Sequence, residues 1–237
     1  MTLRGVCVPL GIVSFIGIVG CARLAEMTGY NEEAIPQGAT VENVIPTDES
    51  WTTIAVQRPL GAQSARRDVK RRWASANYGT HAWRPALAGG RVPTGYSAFE
   101  KFEGSKWVWY PEPDFSFGEV NSVPSNHPVV HMRREFYNAM APGKLVDAYV
   151  DVMTSGLITV RVFVNGSPAR SIRVRPRALH YGATPNMAPR RYVFPEHIVY
   201  GKNVIGIEAT AHIKTDVDGE AVSNYVRDGV IAKVVVR

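Results

Sequence analysis

From about residue 96 onward the chain has one texture: short runs of alternating apolar and polar residues, each closed by Gly, Pro, Asn or Asp. The run LITVRVFVN (157–165) shows it best. Successive side chains of an extended strand point to opposite faces, so Ile158, Val160, Val162 and Val164 share one side and Leu157, Thr159, Arg161 and Phe163 the other. The valine side is a core face. Asn165-Gly166 follows directly, a pair that tolerates positive φ and closes a tight hairpin turn.

Seven further strands are expected on the same grounds: KWVWY (106–110), VVHMRREFY (129–137), LVDAYVDVM (145–153), SIRVRPR (171–177), RRYVFP (190–195), NVIGIEATAHI (203–213) and GVIAKVVVR (229–237). Eight strands at this spacing predict an all-β fold, a two-sheet jelly-roll sandwich over residues 96–237 with an irregular N-terminal arm. Composition agrees, since 21 glycines and 16 prolines in 237 residues mean many turns. Trp107 and Trp109 are expected inside.

The arm divides in two. Residues 22–60 carry acidic side chains and prolines without sustained periodicity, and read as a tether contributing little core. Residues 61–95 hold the basic run Arg66, Arg67, Lys70, Arg71 and Arg72, followed by Trp73, Tyr78, His81 and Trp83. The net charge of +6 is uneven: residues 1–60 carry −3, residues 61–91 carry +6 and the remainder +3. Interleaved cations and aromatics can grip nucleic-acid phosphates or lipid headgroups. A basic run alone is a weak motif, so the patch reads as a protein-docking surface or a short solvated helix whose Trp73 packs on the main domain, and nucleic acid is not the expected partner.

The first 21 residues read as an address. Arg4 precedes about 17 apolar or small residues ending before Arg23, the pattern of an export signal. Ile18-Val19-Gly20-Cys21 resembles a bacterial lipobox, which implies lipidation of Cys21 and a lipid-anchored place in the cell envelope, at the outer membrane or in the periplasm. An uncleaved membrane helix, slightly short and carrying Pro9, and a helix buried in an assembly are the other readings. Cys7 and Cys21 are the two cysteines, so residues beyond 21 offer no thiolate ligand, cysteine nucleophile or disulfide.

Five segments in order resemble the galactose-binding-domain-like jelly roll that accompanies α-L-rhamnosidases and β-galactosidases. They are SKWVWYPEP, VHMRREFYN, LVDAYVDVMTSGLITVRVFVNGSPA, YVFPEHIVYGKNVIGIEATA and DGVIAKVVVR. The matching residues are Trp107, Trp109, Arg133, Phe136, Val164-Asn165-Gly166 and Gly201-Lys202-Asn203-Val204-Ile205, over roughly residues 105–237. The resemblance implies an accessory sandwich. Such modules flank a large catalytic barrel, for which this chain leaves no room, so the module is expected to act without one.

The chain has no G-x-S-x-G, H-E-x-x-H, G-x-x-x-x-G-K-[ST] or G-x-G-x-x-G, and its six histidines are scattered. Glu112, Asp114 and Glu119 lie in a Pro-rich loop and read as solvated rather than as a glycosidase pair. No enzyme activity and no obligate cofactor is expected. Asp216, Asp218 and Glu220 alternate around a glycine and could ligate Ca²⁺, a structural ion common in the sandwiches this chain resembles; a plain acidic loop is the other reading, because the EF-hand spacing is missing. Sugar recognition needs aromatic faces with amide or charged groups beside them, and Trp83, Tyr110, His180, Tyr181, Asn186 and Tyr225 supply these in or near predicted loops. The expected function is a non-enzymatic, membrane-anchored binding or assembly protein whose partners are a glycan or a neighbouring envelope protein. The alternative is a structural component of a virion or other large assembly, a minor capsid or tail protein whose arm ties subunits together.

Overall fold

The computed structural model describes residues 35–56, 71–90, 100–111, 129–141, 144–154, 158–172, 189–211, 214–215, 221–223 and 229–237. In chain order the strands are β1 (Val44–Pro46), β2 (Thr52–Val56), β3 (Arg84–Pro85), β4 (Leu87–Gly89), β5 (Trp107–Trp109), β6 (Val129–Asn138), β7 (Ala148–Thr154) and β8 (Ile158–Val164). They continue with β9 (Ser167–Pro168), β10 (Arg170–Ile172), β11 (Arg190–Val193), β12 (Gly201–Ala211), β13 (Lys214–Thr215), β14 (Ala221–Ser223) and β15 (Val230–Val236). One sheet runs β3-β2-β6-β12-β8-β9; the other runs β10-β11-β7-β15-β5-β4, with β1 also on β15. All these pairings are antiparallel. The expected two-sheet sandwich is what forms.

The long strands alternate between the sheets, β6 to β7 to β8 and β11 to β12 to β15, so consecutive segments face each other across the core. Period-2 patterning decides what enters. Val130, Met132 and Phe136 of β6, Ile205, Ile207 and Ala209 of β12, and Val162 and Val164 of β8 meet Val150 and Val152 of β7 and Val230, Ala232, Val234 and Val236 of β15 in one cluster. Ile158 belongs to it and Val160 packs against it, which bears out the valine face read from the sequence.

All eight expected strands are present, with ends shifted by up to three residues; residues 173–177 of the fifth lie outside the described residues. The arm is where expectation needs correction. Residues 22–60 do contribute core: Ile45 is 1% exposed and Trp51 is fully buried, with its indole nitrogen donating to Pro46 O at 3.0 Å. The reason is sheet geometry, because β1 joins one sheet on β15 and β2 joins the other between β3 and β6, so both ride on longer partners. Thr47 is also buried, where its hydroxyl lies against Lys106 O at 2.7 Å and accepts from Ala232 N at 3.0 Å.

The turn read from Asn165-Gly166 is present, with φ of 50° and 81°. A polar knot fixes it. The Asn165 amide donates to His197 O at 2.8 Å and Asn203 Oδ1 at 2.9 Å, while Asn165 Oδ1 accepts from Val204 N. Fully buried Asn203 donates to Val199 O and Gly201 O and accepts from Val199 N. Both motifs of the resemblance, Val-Asn-Gly and Gly-Lys-Asn-Val-Ile, are therefore two halves of one structural fastening.

Candidate functional site

The outer face of the sheet containing β6, β12 and β8 carries a connected set of charged and aromatic side chains. Alternation that sends Met132, Ile207 and Val162 inward sends His131, Arg133, Gly206, Glu208, Arg161 and Phe163 outward. Register then sorts them into two rows. Glu208 lies between His131 and Arg161, and Gly206 between Arg133 and Phe163.

In the first row His131 Nε2 stands 3.3 Å from Glu208 Oε2, and Arg161 Nη1 stands 3.6 Å from Glu208 Oε1. The hydrogen bond from His131 holds the Glu208 carboxyl below its ordinary range, against the desolvation that would raise it.

The second row is covered by the chain itself. Residues 71–83 form a strap that begins where Arg71 N donates to Gly166 O at 2.7 Å and turns through a 3-10 segment, Arg72–Ala74. Trp73 lies flat on His131, ring centroids 4.1 Å apart and planes 8° apart, with its edge to Phe163 at 5.6 Å. Such contacts between aromatic planes add to simple burial. Trp83 closes the far side at 6.1 Å from Trp73.

Gly206 makes this approach feasible. A Cβ there would sit 2.6 Å from Trp73 Cζ3 and 2.7 Å from the Ala74 Cβ, so the strap rests directly on bare backbone. Beside it, Arg133 is 1% exposed and donates through Nη1 to Tyr78 O at 3.1 Å and through Nη2 to Ser75 O at 3.0 Å and Glu135 Oε1 at 2.7 Å. Burial pushes the Arg133 guanidinium down, and Glu135 opposes the shift. The cation thus ties two strap carbonyls to the sheet. Lys202 shares Glu135, with Nζ at 2.7 Å from Oε2.

Trp73 Nε1 and Arg133 Nε are buried with no hydrogen-bond partner among the described residues. The strap is accordingly held by shape, stacking and two guanidinium bonds rather than by full polar satisfaction. Chemically the face joins His131 to Glu208 by a hydrogen bond and can seat an aromatic side chain. Its present occupant is Trp73.

The residues singled out from the sequence fall in different places. Arg71 is half-buried with its guanidinium 5.9 Å over the Phe163 ring, and Arg72 is exposed. Arg66, Arg67 and Lys70 lie outside the described residues, as do Cys21, His180, Tyr181, Asn186, Tyr225, Asp216, Asp218 and Glu220. Trp83 packs with Trp73 and Phe163, whereas Tyr110 packs on the central core beneath Arg84, whose guanidinium is 6.0 Å from its ring. Those two aromatics therefore belong to separate clusters. Among the described residues no group of three or more His, Cys, Asp or Glu side chains is placed to hold a metal ion, and no helix is long and apolar enough to cross a membrane.

Sequence reasoning missed His131, Glu208 and Arg161 as a set, because nothing local joins β6, β12 and β8. Gly206 was the available signal: a glycine inside the apolar run of a central strand marks a place where another backbone or side chain comes close.

Fold and site together define a class: a two-sheet antiparallel β-sandwich with a strap laid over one outer face. No family model matches the sequence, and no curated protein matches it. In structure the chain is similar to parts of solved glycosidases. A β-glucuronidase from glycoside hydrolase family 2 matches at 14% identity and TM-score 0.42, over 82% of this chain and 18% of that one. The β-glucuronidase of Bifidobacterium dentium matches at 12% identity and TM-score 0.42, over 84% and 31%. The exo-chitosanase of Amycolatopsis orientalis matches at 16% identity and TM-score 0.37, over 81% and 20%. This chain spans less than a third of each of them, and likeness at this level assigns it no activity.

Proposed function

We propose that this is a non-enzymatic binding or assembly protein, held at a membrane of the cell envelope through its N-terminal run with Cys21 as the lipidated residue. One observation carries the reading: the way the chain enters the fold. Val41 bridges Tyr137 of β6, and three residues later β1 pairs with β15, so the point of entry is fastened to a central strand of each sheet. Arg134 adds a clasp there, its Nη2 donating to both Glu42 oxygens at 3.1 Å. A pull on the N-terminus is borne at once by both sheets, which suits a module carried on a tether. The stretch from Cys21 to Val41 could span at most about 70 Å at full extension.

The binding half of the reading rests on the sandwich and on the five segments resembling galactose-binding-like modules, whose loops are where a glycan or a neighbouring envelope protein would be met. Trp83 and Tyr110 are partly exposed and remain the described candidates for such contacts.

The test is intact mass of the protein isolated from its natural membranes, followed by a glycan array. A mass matching a chain that begins at Cys21 plus acyl groups is expected. A full-length, unmodified mass in a multi-subunit particle would overturn the anchor and favour the structural role in a virion or similar assembly. Turnover of aryl glycosides by the pure protein would overturn the non-enzymatic reading.

A further inference from the structure

We propose that the end of the sandwich at which the chain enters the fold rests on the lipid surface, with Val41, Val44 and Val146 as its contact residues and Lys144 beside them. The inference rests on the anchored reading above and adds a surface to it: the module lies against the membrane that holds its anchor.

Among the described residues five large apolar side chains stand in solvent: Val41, Val44, Tyr78, Val146 and Ile172. Three of the five, Val41 at 39%, Val44 at 49% and Val146 at 86% exposed, belong to one end. Backbone pairing brings their segments together. Val44 pairs with Val235, Val236 N donates to Asn43 O at 2.8 Å, and Val146 N donates to Arg237 O at 2.8 Å. Val41 bridges Tyr137, whose carbonyl accepts from Glu42 N at 3.3 Å. A single exposed apolar residue needs no explanation, whereas a group of them at one place marks an interaction surface.

The connection from β6 to β7 is built to present Val146. On one side Met140 and Leu145 pack against the central core, and the Asn138 side chain grips Met140, donating to its O at 3.2 Å and accepting from its N at 3.1 Å. On the other side Asp147 and Arg237 exchange backbone hydrogen bonds at 2.6 and 2.8 Å. The loop is pinned at both ends, so Val146 is held outward with its apolar surface in water. Burial against acyl chains would recover that surface.

Charge selects lipid over an apolar protein partner. The two carboxylates beside these valines are already engaged: Glu42 accepts from Arg134, and Asp147 Oδ2 stands 3.6 Å from Arg237 Nη2. Glu196 is exposed as well, but it follows β11, on the other side of β7 from β15 and β1. Lys144 is exposed two residues before Val146, where its ammonium meets an anionic headgroup once the valine enters the boundary. Protruding aliphatic side chains with a cation next to them are the combination that interfacial docking uses.

The tether points to the same occupant. From an acylated Cys21 to Val41 the chain spans at most about 70 Å, and it arrives at the very residues that form the surface. A bilayer holding that anchor is therefore presented to this end at high effective concentration, and weak contacts suffice.

The measurement is photo-crosslinking of the full chain, purified as the cell processes it and reconstituted in vesicles. Val44, Val146 or, as a control on the strap, Tyr78 is replaced in turn by a diazirine amino acid, and lipid adducts are read by intact mass. Vesicles of phosphatidylcholine are compared with an equimolar mixture of phosphatidylcholine and phosphatidylglycerol. Adducts at positions 44 and 146 should exceed those at 78 about tenfold, the preference that seating a valine in the apolar boundary provides. Lys144→Gln should lower the yield at 146 about fivefold on the mixed vesicles and leave it unchanged on the neutral ones. Val146→Asp should lower the yield at 44, because docking would then bury a charge. Flotation separates the two ways of failing. A chain that floats with neither vesicle overturns the anchor and this surface with it. A chain that floats while positions 44 and 146 label no more than position 78 overturns the surface alone, and so does a yield at 44 that Val146→Asp leaves unchanged.

Discussion

Replacing Gly206 by Ala adds one methyl group at the point where the strap meets the sheet. The added carbon would lie 2.6 Å from Trp73 Cζ3 and 2.7 Å from the Ala74 Cβ. Ordinary contact begins near 3.4 Å, so one partner must move by most of an ångström. Two outcomes compete. If the interface compresses, overpacking of this kind costs about 1–3 kcal/mol. If the strap lifts, the chain loses the burial of Trp73, which for an indole of ~150–250 Å² at ~25 cal/mol per Å² amounts to about 4–6 kcal/mol. The cheaper response sets the cost, so Gly206→Ala should destabilise by about 2–3 kcal/mol. In a chain of 237 residues that lowers Tm by about 5–10 °C. The assay is urea unfolding of four proteins: the unaltered chain, Gly206→Ala, Trp73→Ala and the double variant. Because Trp73→Ala removes the nearest clashing atom, the glycine substitution should cost at least ~1 kcal/mol less in that background. Equal costs in both backgrounds would mean that the strap does not rest on Gly206 as described.

Two further outcomes follow from the polar groups. Asn165→Gly keeps the positive φ but loses the amide's bonds to His197 O, Asn203 Oδ1 and Val204 N, and should cost about 1–3 kcal/mol in urea unfolding. Asn165→Ala, strained at that φ as well, should cost more; a reversed order would refute the knot. Glu208 has a lowered pKa, so its stabilising contribution is complete above the ordinary carboxylate range and is lost as pH falls through its depressed value. Stability measured from pH 5 down to pH 3 should therefore fall less steeply in Glu208→Gln than in the unaltered protein, and parallel acid limbs would count against the His131–Glu208 bond.

What could be read from the sequence was what is local. Period-2 alternation marked β6, β7, β8, β12 and β15, since each sends most of one face into the core, and Asn165-Gly166 announced its turn through backbone preference alone. The three residues of β1, Val-Ile-Pro, are too short to show any period, and only their pairing with β15 makes them a strand. Trp51 and Ile45 looked like residues of a tether for the same reason. The outer-face site was illegible for a different one. Which charged residues of β6, β8 and β12 become neighbours depends on register, and a slip of one residue would have sent Glu208 into the core in place of Ile207. Arg133 was noticed within a resemblance but not as a buried cation, because two of its three partners are backbone carbonyls of the strap, which no side-chain pattern reveals.

The pairing of β1 with β15 also governs when folding can finish. Val44 pairs with Val235, and Thr52 of β2 pairs with Arg133, so strands near the front of the chain wait for partners far behind them. Contacts of such long sequence separation make folding slow, because the loop must be closed before the contact rewards it. Synthesis or export from the N-terminus therefore delivers β1 long before its template exists. Until residues 230–236 emerge, the sheet that covers the valine faces of β6 and β8 lacks the central strand joining β7 to β5, and the nascent chain is prone to aggregate. Whatever cell makes this protein must keep about two hundred residues from misassociating until the last seven-residue strand locks the rest in place.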